Sequence, residues 1–406
     1  MKRILIVAVF IVLLFTLILS QQQSFVEVST VLNIEVPVRV YDGEQFINDL
    51  TISDFEVFEN GIPQKVEAVY LIKRDRIERK EEKREFDPEM SRCFYLFLEV
   101  SEYRQKLQKA IRHFIYDVFL SNDDLIAITP GKSYRLTDES KKNKSRDEIF
   151  EELNGIIRSG ALAGSTEFRH TTADLEQLSR EMNSYVQMSL GLQEGGEGIR
   201  EEEMQVKLVE YIGLMSRLQT FRQADEMRLL DLARYLQTQS GQNFVFYFYE
   251  KKMIPQIEPR LLEQFLELTE RDPYVVQSIN SSLEYNKYET FIDVDKITQA
   301  FADSSTPIHF LHISEPALRV PGVHFEEYSQ ETFNVLFEVS KATGGYSGSS
   351  SNAEFLFQKA LDASENYYLL YYSPKDYMPD DKFRHISVKV KGKNYRVLHR
   401  AGYLAD

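Results

Sequence analysis

The sequence predicts an α/β fold: a doubly wound, mainly parallel sheet with a helical hairpin insertion and a flanking β-sandwich-like module formed by the N- and C-terminal segments. Three observations predict it. Apolar runs alternate with stretches of helical periodicity over residues 91–345, a pattern typical of strand–helix–strand units. Residues 170–240 interrupt it with long amphipathic helical stretches. Residues 26–71 and 366–406 show the two-residue alternation of strands.

The composition restricts the class of protein. The chain has 406 residues, with 48 Lys and Arg against 63 Asp and Glu, which gives a net charge of −15. An acidic balance argues against nucleic-acid binding, which needs a basic surface. A hydrophobic content of 43% and a charged content of 27% are those of a globular protein. The single cysteine, Cys93, excludes an internal disulfide and a cysteine-based zinc site.

The N-terminal segment predicts export. Lys2 and Arg3 precede an apolar run at 4–19, and Ser20 and three glutamines follow. This order is typical of a secretion signal, and the run is shorter than the ~20 residues of a membrane span. Ile18 is large where a cleavage site prefers a small residue, so an uncleaved anchor remains an alternative to a cleaved signal over residues 1–20. The location is therefore periplasmic, secreted or envelope-associated, with membrane contact only through this segment.

The β segment at 26–71 opens with apolar residues at every second position, with polar residues and Pro37 between them. Proline cannot donate a ladder hydrogen bond, so Pro37 predicts an edge or bulged strand. Asn60-Gly61 predicts a tight hairpin. The mixed-charge run at 72–90 is interpreted as a charged linker, with the end of a long hairpin and a docking strip as alternatives.

The region 91–345 predicts buried strands at 94–100, 125–129, 244–249 and 308–313, with helices between them. Gly344-Gly345 predicts the end of a helix that starts near Phe333. The insertion at 170–240, broken by glycines at 195–198, has an apolar stripe that favours core packing over a partner groove. The members of that stripe are Leu208, Tyr211, Ile212, Met215 and Leu218.

The segment FYLFLEVSEY at 94–103 resembles the first strand and metal loop of von Willebrand factor type A (VWA) domains. The opening stretch VPVRVYDGEQFINDLTISDFEVFENGIPQKV and the closing NYYLLYYSP, KFRHISVKVKGKNYRVLHRAGYLA resemble the flanks of a VWA-related exported family of Acidobacteria and their relatives. The resemblance covers nearly the whole exported chain. It implies a VWA-like sheet over 91–345, with flanking β segments at both ends.

The resemblance also implies a divalent cation at the carboxyl ends of the parallel strands, held by serine, threonine and aspartate oxygens. Such oxygens are the ligands that Mg²⁺ or Mn²⁺ prefers. Ser101 matches the first serine of that loop, and Thr166, in Gly164-Ser165-Thr166, matches the threonine.

The match to the metal loop is incomplete. Glu99 and Glu250 stand where aspartates are expected, and Tyr103 replaces a serine. The glutamate side chain is longer than that of aspartate and fits the rigid octahedron of ligands around Mg²⁺ poorly. We therefore expect a degenerate metal site that holds no cofactor. A functional Mg²⁺ or Mn²⁺ site is the alternative. In the metal-free case, Glu99 and Glu250 cap strand ends or accept hydrogen bonds from backbone amides.

No catalytic motif is present. The chain lacks a phosphate-binding glycine loop after a strand and a Gly-x-Ser-x-Gly turn. His309 and His312 lie three residues apart on a predicted strand, so their side chains face opposite sides and cannot chelate one ion together. We therefore expect no enzymatic activity.

The sequence thus predicts an exported, non-enzymatic protein-binding module that acts without a metal. Recognition is expected at the carboxyl ends of the parallel strands, where open α/β sheets usually bind ligands. The exposed candidates there, besides Thr166, are Glu102, Tyr103, Ser165, Lys251 and Lys252. The alternatives are a Mg²⁺-dependent adhesion domain and a structural component of a cell-envelope assembly that acts through the helical insertion. The partner is a protein whose identity the sequence does not give.

Overall fold

The computed structural model describes residues 32–189, 201–219, 226–260, 263–264, 277, 292–314, 316, 319–327, 329–375 and 377–406. The predicted export segment and the glycine break at 195–198 lie outside these residues. Ile34–Asp406 forms one compact unit. Among the helices of the described residues, none combines the length and the apolar character needed to cross a membrane.

The described strands and helices follow in chain order. The strands are β1 Ile34–Asp42, β2 Gln45–Phe46, β3 Phe55–Glu59, β4 Ile62–Gln64, β5 Val66–Lys73, β6 Arg76–Glu82, β7 Arg92–Glu99, β8 Asp124–Ile128, β9 Ser133–Leu136, β10 Gln242–Glu250, β11 Met253–Ile257, β12 Ile308–Ile313, β13 Val323–Glu327, β14 Ser347–Ser350, β15 Asn366–Tyr372, β16 Phe383–Val390, β17 Arg396–His399 and β18 Gly402–Leu404. The α-helices are α1 Gln105–His113, α2 Asp138–Asn143, α3 Arg146–Ser189, α4 Glu201–Gln219, α5 Glu226–Gln237, α6 Val294–Asp303, α7 Gln330–Ala342 and α8 Ala353–Glu365, and a π-helix at Phe114–Val118 continues α1.

One sheet is mixed and has the order β14-β12-β10-β7-β8-β9. Its first five strands are parallel, and β9 is antiparallel to β8 at one edge. Its central strands β7 and β10 are apolar along almost their whole length because both faces of the sheet are covered. This sheet positions the candidate functional site at the carboxyl ends of β7 and β10.

The segments from the two ends of the chain pair with one another in antiparallel sheets. One has the order β17-β1-β15-β5-β6, with β2 added to β1. A second has the order β18-β16-β3-β4, and β11 with β13 forms a two-stranded sheet. The buried carboxylate of Glu59 on β3 accepts hydrogen bonds from the hydroxyls of Tyr372 (2.8 Å) and Tyr403 (3.0 Å). These contacts tie the first strands to the last.

The predicted fold class is therefore wrong. Among the described residues, three of the four sheets are antiparallel and only one is mixed, so the fold is not a doubly wound parallel sheet. The prediction failed because a continuous apolar run indicates burial on both faces and not strand direction. The strand β15 is such a run, NYYLLYY, yet it is antiparallel to both of its neighbours.

Apolar side chains cover both faces of the mixed sheet. On one face, Phe94 and Phe246 join a cluster that includes residues of α1, α8 and the antiparallel strands β5 and β15. On the other face, Tyr95 and Tyr247 pack with residues of α5, α6 and α7. The antiparallel strands thus share a core with the mixed sheet.

The helical region has its own apolar cluster, formed by α3, α4 and β11. Leu208, Tyr211, Met215 and Leu218 are buried in it, which confirms that the predicted stripe is core. Its remaining member, Ile212, packs partly buried against the same cluster. The helix α3 is longer than predicted, because it runs unbroken from Arg146 and contains no proline.

Several local predictions are confirmed. Asn60 and Gly61 both have positive φ angles, 48° and 80°, in the β3–β4 hairpin. The helix α7 ends at Ala342, and Gly344 follows with a φ of 69°. The charged run at 72–90 is not only a linker, because its residues Arg76–Glu82 form β6, which pairs with β5 in the hairpin given as an alternative. The edge position predicted from Pro37 holds only for the first half of β1, which pairs with β15 alone, because the second half also pairs with β17.

Candidate functional site

The candidate site lies where β7 and β10 end side by side. The two strands are parallel neighbours, and Glu99 lies opposite Tyr249. The strand β7 leads into the bend at Ser101 and Glu102, and β10 leads into Lys251 and Lys252. Two polar loops therefore meet at this edge of the sheet.

The carboxylate of Glu250 connects the two loops. One of its oxygens, Oε2, accepts the backbone N–H of Ser101 at 2.6 Å and the Ser101 hydroxyl at 2.5 Å. The other oxygen, Oε1, lies 3.7 Å from Nη2 of Arg104. The side chain of Glu250 is only 13% exposed, so these contacts are partly shielded from water. Both oxygens are thus engaged by groups of the same chain.

The helix α3 closes the site from one side. The Ser165 hydroxyl lies 3.0 Å from the Ser101 carbonyl oxygen and 2.8 Å from that of Ala161. Ser165 is buried, so the prediction that it is exposed at this edge is wrong. Its role is to bond helix α3 to the Ser101 loop.

Thr166 lies on the same helix and not on a loop, which corrects its predicted setting. It follows Ser165 by one residue, a rotation of about 100° around the helix axis. Its side chain is exposed, and its hydroxyl donates to the carbonyl oxygen of Leu162 at 2.6 Å. Ser165, and not Thr166, makes the contact with Ser101.

Glu99 and Glu250 point to opposite faces of the sheet. Side chains alternate along a strand, and Glu99 shares its face with Tyr247 and Tyr249. The Tyr247 hydroxyl is hydrogen-bonded to Glu99, and burial foremost, together with this carboxylate, raises the pKa of that phenol. The carboxylates of the predicted metal set are therefore divided between two faces. Among the described residues, no group of three or more His, Cys, Asp or Glu side chains is placed to hold a metal ion.

The two lysines after β10 contact groups of their own chain. The Lys251 ammonium forms an ion pair with Glu327 at 2.8 Å. The Lys252 ammonium lies 5.7 Å from the ring centroid of Phe168 and 5.8 Å from that of Tyr249. These cation–π contacts hold the loop against α3. Both lysines are half-buried.

The remaining predicted residues differ in exposure. Glu102 is exposed and lies 3.1 Å from Arg104, measured from Oε2 to Nε. Tyr103 is half-buried against the apolar cluster of α1 and α8, and its hydroxyl is buried without a hydrogen-bond partner in the described residues. Burial raises the pKa of this phenol. Tyr103 therefore belongs mainly to the core beneath the site.

The structure adds a residue that the sequence reasoning missed. Arg104 contacts both Glu102 and Glu250. Its positive charge thus lies beside Glu250, the carboxylate that was expected to bind a divalent cation. Its position three residues after Ser101 is visible in the sequence. Which of the nearby carboxylates it meets depends on the pairing of β7 with β10, which the sequence does not show.

The two histidines of β12 lie on opposite faces, as predicted. His309 stacks on Phe246, which faces one core, and His312 stacks on Tyr249, which faces the other. Burial lowers the pKa of both imidazoles. His309 accepts the backbone N–H of Tyr346 at Nδ1, and its Nε2 lies 3.0 Å from the Ser364 hydroxyl. These contacts describe a neutral core histidine.

The chain was compared with protein-family models, with curated proteins and with solved structures, and none of them matches it.

Proposed function

We propose that this chain is an exported, non-enzymatic protein-binding module that recognises its partner at the carboxyl ends of β7 and β10 without a metal ion. The observation that carries the proposal is the engagement of Glu250 by Ser101 and Arg104. A divalent cation at this edge would have to displace the two Ser101 hydrogen bonds and approach a neighbouring arginine. Both steps oppose cation binding.

Exposed charges at the rim support recognition of a protein. Glu102 and Arg104 have side chains that are 49% and 42% exposed, and Thr166 is exposed on helix α3. The loop beneath them is held by Ser165 and by the stacked Lys252. A fixed loop with a charged rim suits a protein interface, because such charges govern specificity and association rate.

The first experiment measures thermal unfolding with EDTA and with excess Mg²⁺ or Mn²⁺. A ligand at ~100 times its dissociation constant adds about 2.7 kcal/mol of stability, which raises the unfolding midpoint of a protein of this size by about 3 °C. We expect no shift. A rise that disappears in Ser101→Ala and in Glu250→Gln would favour the Mg²⁺-dependent adhesion domain instead.

The second experiment locates the partner surface. A photoreactive amino acid replaces Glu102, or Glu139 on α2 as an exposed control, in cells that naturally make the protein. We expect one dominant protein to be cross-linked from position 102, and we expect the same protein not to be cross-linked from position 139. The Arg104→Gln variant, which removes the exposed positive charge without placing a carboxylate beside Glu250, is expected to weaken this cross-link while the unfolding midpoint changes little. A cross-link that appears equally at both positions would contradict recognition at this edge.

A second candidate function, a structural component of an envelope assembly, is favoured by one observation on α4. Val206 and Val209 are 67% and 65% exposed and lie three residues apart, so they share one helix face. Self-association through this face predicts an oligomer in light scattering that becomes monomeric in Val206→Glu/Val209→Glu. A wild-type chain that is monomeric at all concentrations would exclude assembly through contacts between copies.

A further inference from the structure

The strand β14 forms one edge of the mixed sheet and pairs there with β12 alone. The Phe310 N–H donates to the carbonyl oxygen of Tyr346, and the Ser314 N–H donates to that of Ser350. In a parallel pair, residues that bond to the neighbouring strand alternate with residues whose backbone groups point away from it. The N–H and C=O groups of Ser347 and Ser349 therefore point away from β12.

These outward groups have no hydrogen-bond partner among the residues that the structure describes. Ser349 is exposed, and Ser347 and Gly348 are half-buried. Two donors and two acceptors, spaced as in any strand, are thus available to a further strand. An edge of this kind is a template for pairing with another chain.

The other edge strands of three or more residues in the described sheets are protected against such pairing. Charged side chains lie on β6, β9, β13 and β17, and a proline lies in β4 and in β11. The strand β18 is covered by α6, since the Leu404 N–H donates to Asp303 at 2.7 Å. Charges, prolines and covering elements are the usual means of blocking an edge. The strand β14, with the sequence SGSS, has neither a charge nor a proline.

Helices with exposed phenylalanines flank β14 on both faces of the sheet. On one face, Phe337 of α7 is 36% exposed and stacks on Phe333, whose ring lies 4.7 Å from that of His312. His312 lies 2.9 Å from the Ser349 hydroxyl, measured from Nδ1. On the other face, Phe355 in the first turn of α8 is 49% exposed. Apolar surface is therefore available near this edge on both faces.

A second copy of the chain suits this edge because β14 is self-complementary about a two-fold axis. In an antiparallel pair centred on Gly348, Ser347 of one copy lies opposite Ser349 of the other, and each such pair exchanges two hydrogen bonds. All four outward groups of each copy are then satisfied. Gly348 meets its own copy at the axis, where Cα atoms approach to about 4.5 Å, and it carries no side chain that could obstruct the approach.

We propose that two copies of this chain associate through β14 and join their six-stranded mixed sheets into one. The two-fold axis is perpendicular to the sheet, so α7 faces its copy on one side and α8 faces its copy on the other. Strand direction reverses across the axis, so the two edges with Glu250 face in opposite directions. The dimer therefore presents one partner surface at each end. Only this last consequence rests on the proposed function.

The first test measures the mass of residues 24–406 by sedimentation over a range of concentrations, and we expect a monomer–dimer equilibrium. Ser347→Pro removes an outward N–H at the first residue of an edge strand, where proline is tolerated. We expect it to raise the dissociation constant of the dimer by about tenfold or more. The control is Lys80→Pro, at an outward position of the edge strand β6, which leaves the equilibrium unchanged.

A disulfide test fixes the register and does not depend on a proline variant. Ser347→Cys and Ser349→Cys are made in separate proteins, each with Cys93→Ser. Pairing centred on Gly348 brings Cα of residue 347 to about 5.5 Å from Cα of residue 349 in the second copy, within the range of a disulfide. We expect the oxidised mixture of the two proteins to form a mixed disulfide dimer. Each protein alone stays uncross-linked, because identical positions are two residues out of register.

Four results would contradict the proposal. The first is a chain that is monomeric at every concentration. The second is a dimer that persists in Ser347→Pro and gives no mixed disulfide. The third is a dimer that dissociates in Val206→Glu/Val209→Glu but not in Ser347→Pro, which would place the contact on α4. The fourth is cross-linking of each cysteine variant alone to the same extent as the mixture, which would show random collision.

Discussion

At the scale of single residues, Glu250 shows how an expected metal ligand can serve a different purpose. Its carboxylate accepts two hydrogen bonds from Ser101 and faces Arg104, so it connects the ends of two strands. A carboxylate that accepts several hydrogen bonds in a partly shielded place contributes to stability without a cation. The expected aspartate position thus holds a glutamate with a local structural role.

Replacement of Glu250 tests this role. We expect Glu250→Gln to lower the free energy of unfolding by about 1–3 kcal/mol, since hydrogen bonds to a charged group are replaced by weaker ones. Glu102→Gln is the matched control, and because Glu102 is half exposed we expect a change of less than about 0.5 kcal/mol. Urea denaturation measures both. Equal effects of the two substitutions would contradict the structural role of Glu250.

His309 predicts a pH dependence of stability. Burial lowers the pKa of its imidazole well below the ordinary 6.5, and the nearby Arg39 lowers it further. Below pH ~6.5 the unfolded chain therefore binds a proton that the folded chain does not, so stability falls as the pH falls, by up to about 1.4 kcal/mol per pH unit.

His309→Asn is expected to flatten this slope between about pH 5 and 6.5, because asparagine offers an acceptor to the Tyr346 N–H but does not titrate. The measurement is the urea midpoint of both proteins across this range. His312 and His399, whose pKa values burial also lowers, keep part of the slope in both proteins. An unchanged slope in the variant would show that His309 does not titrate in this way.

At the scale of elements, helix α3 reaches the candidate site because two glycines allow a close approach. A Cβ atom on Gly160 would lie 2.0 Å from the Thr129 hydroxyl, and one on Gly164 would lie 2.2 Å from Cβ of Pro130. The glycines are four residues apart and therefore lie on one helix face. The helix thus packs directly on the turn after β8, which sets the position of Ser165 against Ser101.

Alanine substitutions within α3 separate helix propensity from this packing. We expect Gly160→Ala to destabilise the protein by about 1–3 kcal/mol through overlap with Thr129. Gly155→Ala in the same helix meets no atom within 4 Å, so we expect it to stabilise by about 0.5–1 kcal/mol. Chemical denaturation distinguishes them, and stabilisation by both substitutions would refute the close contact.

The elements also show which local signals are reliable. The strand at 308–313 and the end of helix α7 near Gly344 were predicted to within a residue or two. They depend on apolar runs and on glycine, which act locally. The start of α3 is also predicted, because Leu153 and Ile157 follow a helical spacing, but the sequence did not show that this helix continues without a break into the insertion.

At the scale of the whole molecule, the two ends of the chain are parts of one structure. The strand β1 pairs with β15 and β17, and β3 pairs with β16. The strands β5 and β15 also contribute to the core beneath the mixed sheet. Interactions between the flanks and the central region are therefore extensive, which favours cooperative unfolding.

Unfolding of residues 24–406 is thus expected to show one transition, with the same midpoint by far-ultraviolet circular dichroism and by tyrosine fluorescence. A chain that ends at residue 380 lacks β16, β17 and β18 and loses the Arg400 and Tyr403 contacts. We expect it to lose the transition. A shortened chain that keeps a cooperative transition at an unchanged midpoint would show that the central region folds independently of these strands.

The candidate site was predicted in part. The resemblance to VWA domains placed Ser101 and Glu250 near each other, and in the structure they are hydrogen-bonded at the ends of neighbouring parallel strands. The sequence could not show that Glu99 faces away from Glu250, since that depends on the register of the two strands. It also gave no sign that Arg39 is buried, because the polar face of β1 is covered by another layer of the protein instead of water.

The sequence by itself determined the local elements: the apolar strands, the hairpin at Asn60-Gly61, the glycine that ends α7 and the burial of the stripe on α4. Each depends on residues within a few positions along the chain, where backbone preference and periodicity act directly. The tertiary structure alone decided the direction and order of the strands, the register in which the chain ends pair, and the partners of Glu250 and Arg39. These depend on contacts between residues more than a hundred positions apart, which periodicity does not encode.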